Sequence, residues 1–101
     1  MFTQATRWSG PVGEAIADAT WRKAQPLWMG AGAHSAQRFN IIEGANAGQQ
    51  MTVVRFNTRD DWEKAREKIS HERSNLLKEL ETAGFKNEET MLLDEVIDQQ
   101  R

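Results

Sequence analysis

Two segments that read as β-strands, residues 35–43 and 51–57, lie on either side of a loop rich in glycine and asparagine. Each segment contains the tripeptide Arg-Phe-Asn, at residues 38–40 and 55–57. Gly and Asn tolerate the positive φ angles that a tight reversal requires. The pattern therefore predicts a β-hairpin, and every other element of the fold has to pack around it.

The repeated tripeptide suggests how the two strands pair. Neighbouring residues in a strand point to opposite faces, so Arg and Asn share one face in each copy and Phe lies on the other. We expect the register that places Phe39 opposite Phe56, since each arginine then faces an asparagine. A register that pairs Arg38 with Arg55 is disfavoured by up to about 1 kcal/mol. The expected register gives a shared sheet face, turned away from the helices, that carries Arg38, Asn40, Arg55 and Asn57.

The elements before the hairpin follow from alternation and from helix signals. Residues 2–8 alternate in polarity and predict a first strand. Gly10 and Pro11 then suit a helix start, because a proline at the first helical position loses no hydrogen bond. Apolar residues at helical spacing predict a helix from about residue 11 to 24, ending where Pro26 disturbs it.

The elements after the hairpin are one long helix and a closing strand. Thr58, with Asp61 three residues later, resembles a capping box, and Gly84 is a typical helix terminator. Apolar residues at helical spacing fill the interval and predict a helix over about 59–83. Residues 90–97 predict the last strand.

Composition limits the classes of function. The chain has 101 residues, which suits a single domain over 1–101 with a thin core that self-association would extend. It has no cysteine, which excludes disulfides, thiolate nucleophiles and Cys-ligated metal. A formal net charge of −2 gives no attraction for nucleic acid or anionic membranes, so neither partner is expected. With no apolar segment near its start, the protein is expected to be cytoplasmic.

The order strand, helix, strand, strand, helix, strand is that of a ferredoxin-like α+β fold with an antiparallel four-stranded sheet and two helices on one face. At this length the chain resembles the dimeric α/β-barrel superfamily, which includes antibiotic-biosynthesis-type monooxygenases and haem-degrading proteins. The resemblance implies a homodimer whose uncovered sheet faces form a barrel, with a ligand cavity beside the shared core. The face bearing the two arginines would then line that cavity or the dimer seam.

The residues themselves and this resemblance together suggest a small-molecule site. Its ligand-binding residues are predicted to be Arg38, Asn40, Arg55, Asn57, Trp8 and Trp28. His34, in the loop before the second strand, is the candidate catalytic base, because an ordinary histidine exchanges protons near neutral pH. The alternative for the arginines is structural, namely ion pairs with Glu95, Asp94, Glu43 or a partner chain.

The sequence does not indicate a cofactor site or a metal site. Haem-degrading relatives use an Asn, a Trp and a His, yet Trp62 and His71 would point to opposite sides of one helix, and the first strand offers Gln4 and Thr6 instead of Asn. The histidines and nearby carboxylates show no metal-ligand spacing. We therefore expect no cofactor and no metal.

Two functions remain open at this point. The first is a homodimeric barrel protein that binds a small molecule, with cofactor-independent monooxygenation of an aromatic or carbonyl-bearing substrate as its enzymatic form. The second is a non-catalytic dimerisation or ligand-sensing domain, whose polar sheet face is only an interface network.

Overall fold

The computed structural model describes residues 1–11 and 15–96. Four strands form a single antiparallel sheet in the order β2-β3-β1-β4. The strands are β1 (Phe2–Ser9), β2 (Ser35–Asn40), β3 (Gln50–Phe56) and β4 (Lys86–Asp94). The helices are α1 (Ala15–Gly30), α2 (Arg59–Lys68) and α3 (Ser70–Thr82). This arrangement confirms the predicted ferredoxin-like α+β fold.

Helix α1 is longer than predicted at its carboxyl end. It continues through Pro26 to Gly30, so the expected end near residue 24 is wrong. Proline removes one helical hydrogen bond, but the following turn is held by burial of Trp28, whose ring centroid lies 5.9 Å from that of Phe56 in the core. The predicted helix start falls next to residues 12–14, which lie outside the described part of the chain.

The predicted long helix is present as two helices that meet at Ile69. Its start is as expected, because the Thr58 hydroxyl accepts a hydrogen bond of 3.1 Å from the backbone N–H of Asp61. Its end is also as expected, since Gly84 has a φ of +90°. The break at Ile69 was not predicted, because the sequence around it contains neither glycine nor proline. None of the helices in the described ranges is both long and apolar enough to span a bilayer.

The last strand is displaced towards the amino terminus relative to the prediction. It begins at Lys86 rather than near residue 90, directly after the buried ring of Phe85, and ends at Asp94. Residue 97, the predicted last position of this strand, lies outside the described residues.

The hairpin exists, but its register differs from the predicted one. Phe39 lies opposite Met51, not Phe56, and Arg38 lies opposite Thr52. The displacement is an odd number of residues, so β2 presents to the helices the face that we expected to point away from them. The strand ends at Asn40, and the backbone N–H of Ile41 closes the loop on the carbonyl of Gln49 at 2.9 Å.

The two faces of the sheet have different surroundings. The face that packs under the helices, here called the helix face, bears Phe2, Gln4, Thr6, Trp8, Ala36, Arg38, Asn40, Gln50, Thr52, Val54 and Phe56. The opposite face, here called the open face, bears Thr3, Ala5, Arg7, Gln37, Phe39, Met51, Val53, Arg55, Met91 and Leu93. The core lies on the helix face, where Phe56 is fully buried and Phe2 contacts Trp62 at 5.1 Å between ring centroids.

Candidate functional site

A cavity of about 80 Å³ lies between the helix face of the sheet and the helices. Its floor is formed by the sheet residues Gln4, Thr6, Trp8, Arg38, Gln50, Thr52 and Val54. Its roof and ends are formed by Ala17, Thr20, Trp21, Ala24, Leu27, Trp28, Ile69, Arg73, Leu76, Leu77, Leu80 and Phe85. The floor is thus mostly polar and the roof mostly apolar, which is the composition expected where a ligand is oriented by a few hydrogen bonds.

Hydrogen bonds fix the polar side chains of the floor. The indole N–H of Trp8 donates to the Thr52 hydroxyl at 3.1 Å, and that of Trp62 donates to the Gln4 carbonyl oxygen at 2.7 Å. The second bond uses only the oxygen of the Gln4 side chain. No described residue accepts from its amide N–H groups, which are therefore available to a carbonyl group of a ligand.

Arg38 lies at the cavity and is neutralised within the chain. Its guanidinium forms an ion pair with Asp18 of α1, and its side chain is only 14% exposed. This pair joins the sheet to the helix above it. Arg38 therefore forms an ion pair, which was the structural alternative to ligand binding. Asp18 was not among the expected partners, because α1 was expected to lie on the opposite side of the sheet from Arg38.

Arg55 has a different environment on the open face. Its guanidinium pairs with Glu95 at 3.3 Å, one of the three carboxylates that the sequence suggested. Neither Arg55 nor Asn57 lines the cavity, and Arg55 lies on the opposite side of the sheet from Arg38. The expectation that both arginines and both asparagines share one face is wrong, because the observed register places Arg38 and Asn40 under the helices.

Some of the other predicted site residues line the cavity and others lie outside it. Trp8 and Trp28 both line the cavity, as a ligand-binding role requires. Asn40 belongs to the helix face but lies outside the lining. His34 is exposed in the loop between α1 and β2, and it also lies outside the lining. Its catalytic role stays a prediction, as do the ligand-binding roles of the three residues outside the cavity.

Arg73 is the charged cavity residue that the sequence analysis missed, and the polar lining residues Gln4 and Thr52 were also not among the predicted site residues. It is half-buried on α3, and its guanidinium carbon lies 5.9 Å from the ring centroid of Trp28. Burial lowers the pKa of Arg73, and the nearby positive charge of Arg66 lowers it further. The sequence did hold a signal, because Arg73 lies four residues after Ile69 and four before Leu77, within the apolar stripe of the helices.

The lining offers aromatic surface, hydrogen-bonding groups and a guanidinium. Its described residues include no histidine and no carboxylate, so the cavity supplies no ordinary general base. Across the described residues, no group of three or more potential metal ligands comes together. The arrangement is suited to binding a small molecule with a polar end and an apolar body.

Comparisons with known proteins place the fold. No protein-family model and no curated protein matches the sequence. A Bordetella bronchiseptica protein provisionally named an antibiotic biosynthesis monooxygenase superposes with a TM-score of 0.70 at 18% identity, over 95% of this chain and 97% of its own. A dimeric ferredoxin-like protein from an uncultured marine organism gives 0.67 at 15% identity, over 99% of this chain and 98% of its own.

A third solved structure extends the same likeness. Rv0793 from Mycobacterium tuberculosis superposes with a TM-score of 0.62 at 12% identity, over 99% of this chain and 100% of its own. In all three cases the likeness spans nearly the whole of both chains, so it concerns the complete fold and not one motif. The chain therefore has the same ferredoxin-like fold as these three solved structures.

Proposed function

We propose that this protein is a homodimeric barrel protein that binds a small molecule in the cavity between its sheet and its helices. The observation that carries the proposal is the division of the lining into a polar floor and an apolar roof. A cavity that served only packing would be filled by side chains or lined by apolar groups alone. The cavity replaces the site on the uncovered sheet face that the sequence suggested.

The cavity limits the size and kind of ligand. At about 80 Å³ it is smaller than the roughly 150 Å³ apolar cavity that accommodates benzene in an engineered protein. A ligand of one ring or a short chain would therefore need a small separation of α1 from α3 to be accommodated. Trp8, Trp21 and Trp28 provide aromatic contact, while Gln4 and Thr52 can hydrogen-bond a carbonyl or hydroxyl group.

The proposed dimer uses the open face. Phe39 is 48% exposed and Leu93 47% exposed there, beside Met51, Val53 and Met91. Two such faces can pack with interdigitating apolar side chains, as sheets do in β-sandwiches. The solved structure named as a dimeric ferredoxin-like protein supports self-association. Ligand binding and dimerisation would then occupy opposite faces of one sheet.

A cofactor-independent monooxygenase is the second candidate, favoured by the likeness to the Bordetella bronchiseptica protein. Such a reaction needs a substrate that becomes electron-rich by losing a proton, and the described lining residues contain no imidazole or carboxylate to accept it. The cavity therefore supports ligand binding more strongly than oxygen chemistry. Oxygen uptake in the presence of each bound compound would distinguish the two candidates.

A pair of alanines on α1 provides a test of the ligand site. Ala24 lines the cavity, whereas Ala19 is exposed on the same helix. Ala24→Leu should fill the cavity and weaken binding of small aromatic acids, amides and alcohols by at least about tenfold, equivalent to about 1.4 kcal/mol. Tryptophan fluorescence titrations would measure the change. Ala19→Leu should bind as the wild type does, and equal binding by Ala24→Leu would overturn the proposed site.

A further inference from the structure

Arg73 differs from the other arginine of the cavity in its pairing. Arg38 is neutralised by Asp18, whereas Arg73 forms no ion pair with any residue in the ranges 1–11 and 15–96. Its guanidinium lies over the ring of Trp28, a buried side chain that also lines the cavity. The guanidinium therefore contributes an uncompensated positive charge to a largely apolar space.

The groups around Arg73 do not relieve this charge. On the same helix its neighbours towards the cavity are Leu76 and Leu77, and Ile69 lies one turn before it. Arg66 carries a further positive charge near Arg73, and this charge repels that of Arg73. A half-buried cation with no counter-ion is unfavourable, so the free energy of the site falls when an anion enters.

We infer that the ligand of this cavity carries a single carboxylate attached to one ring or a short apolar chain, and that Arg73 binds the carboxylate. The inference rests on the proposed small-molecule function and names the ligand class for the same site. The apolar body would lie under the roof formed by α1 and α3, against Trp28. The carboxylate would accept N–H donors from the guanidinium of Arg73.

Charge and size favour a carboxylate over a phosphate. Arg73 offers one uncompensated positive charge, which a carboxylate matches, whereas a phosphate monoester would bring nearly two negative charges into a space of about 80 Å³. The second guanidinium in the lining is already paired with Asp18. The planar, two-pronged donor geometry of arginine suits either group, so charge and size decide between them.

The test compares acids with their neutral amides of nearly the same shape. The probes are benzoate with benzamide, phenylacetate with phenylacetamide, and hexanoate with hexanamide, titrated into the full-length protein and followed by tryptophan fluorescence. In the wild type we expect each bound acid to have a Kd at least about tenfold lower than that of its amide. Arg73→Gln should remove this preference, and Arg73→Lys should keep part of it.

Arg66→Gln is the matched control. Arg66 also lies over a tryptophan, with its guanidinium carbon 5.2 Å from the ring centroid of Trp62, but it does not line the cavity. This variant should keep the preference for acids. If wild type binds acids and amides equally, or Arg73→Gln still prefers acids, the inference is wrong while the ligand site stands. If no probe of either kind binds at millimolar concentration, the proposed function fails and the inference fails with it.

Discussion

The ion pairs that Arg38, Arg55 and Arg73 do or do not form separate the roles of these three arginines. Arg38 and Arg55 each have a carboxylate partner, Asp18 and Glu95, and so contribute to cohesion of the fold. Arg73 has an aromatic neighbour and no ion-pair partner among the described residues. The sequence alone suggested the first two as ligand-binding residues because they share a face in the expected register, with ion pairs as the alternative.

The buried bond between Gln4 and Trp62 gives a prediction about stability. The Trp62 side chain is 4% exposed, and Gln4 is 7% exposed. Gln4→Leu should leave the indole N–H of Trp62 buried without an acceptor and lower the free energy of unfolding by about 1–3 kcal/mol. Urea denaturation would measure the loss.

A double-mutant cycle separates this hydrogen bond from packing. In a Trp62→Phe background there is no N–H group to satisfy, so Gln4→Leu should cost much less there than in the wild type. An equal cost in both backgrounds would show that the bond contributes little and that Gln4 acts through its shape.

At the scale of elements, the sequence was sufficient to predict the order and type of the helices and strands but not the register of the strand pairing. Alternation in residues 2–8 and helical spacing over 59–83 are local signals, and both match the structure closely. The helix break at Ile69 and the passage of α1 through Pro26 depend on packing against the sheet, which local patterns do not record.

The register of the hairpin explains why the candidate site lies on the helix face and not, as expected, on the open face. Pairing the two Arg-Phe-Asn copies like for like seemed favourable, but the structure instead matches Ala36 with Val54 on the buried side. Residues 41–49 form the loop between the strands, and Ile42 is 83% exposed. Because side chains alternate with a period of two, this single difference in register moved Arg38 under the helices and left Arg55 outside.

At the scale of the whole molecule, the two faces of the sheet are suited to the two proposed roles. Its helix face bounds the cavity, and its open face carries exposed apolar side chains suited to a second copy of the chain. A domain of this size gains substantially from burying such a face. Dimerisation would also fix the strands that form the floor of the cavity.

Two adjacent leucines of β4 test the proposed dimer. Leu93 lies on the open face and Leu92 on the other side of the strand, and the two are exposed to similar extents, 47% and 43%. Leu93→Lys would place a charge in the apolar interface and should convert the dimer to monomer at micromolar concentration. Analytical ultracentrifugation would report the mass of each variant.

Leu92→Lys serves as the control, because it adds the same charge outside the proposed interface. It should remain dimeric. A wild-type chain that sediments as a monomer, or a Leu93→Lys variant as dimeric as the control, would rule out the open face as the interface.

The proposed ligand site is tested most directly by mapping which residues a small ligand contacts. Three of the four tryptophans, Trp8, Trp21 and Trp28, line the cavity. In a two-dimensional ¹⁵N–¹H NMR titration with benzoate, and separately with benzamide, their indole resonances should shift while the backbone amides of Arg55 and Asn57 stay in place. Shifts confined to those two residues and the rest of the open face, with unchanged indole resonances, would contradict the cavity as the ligand site.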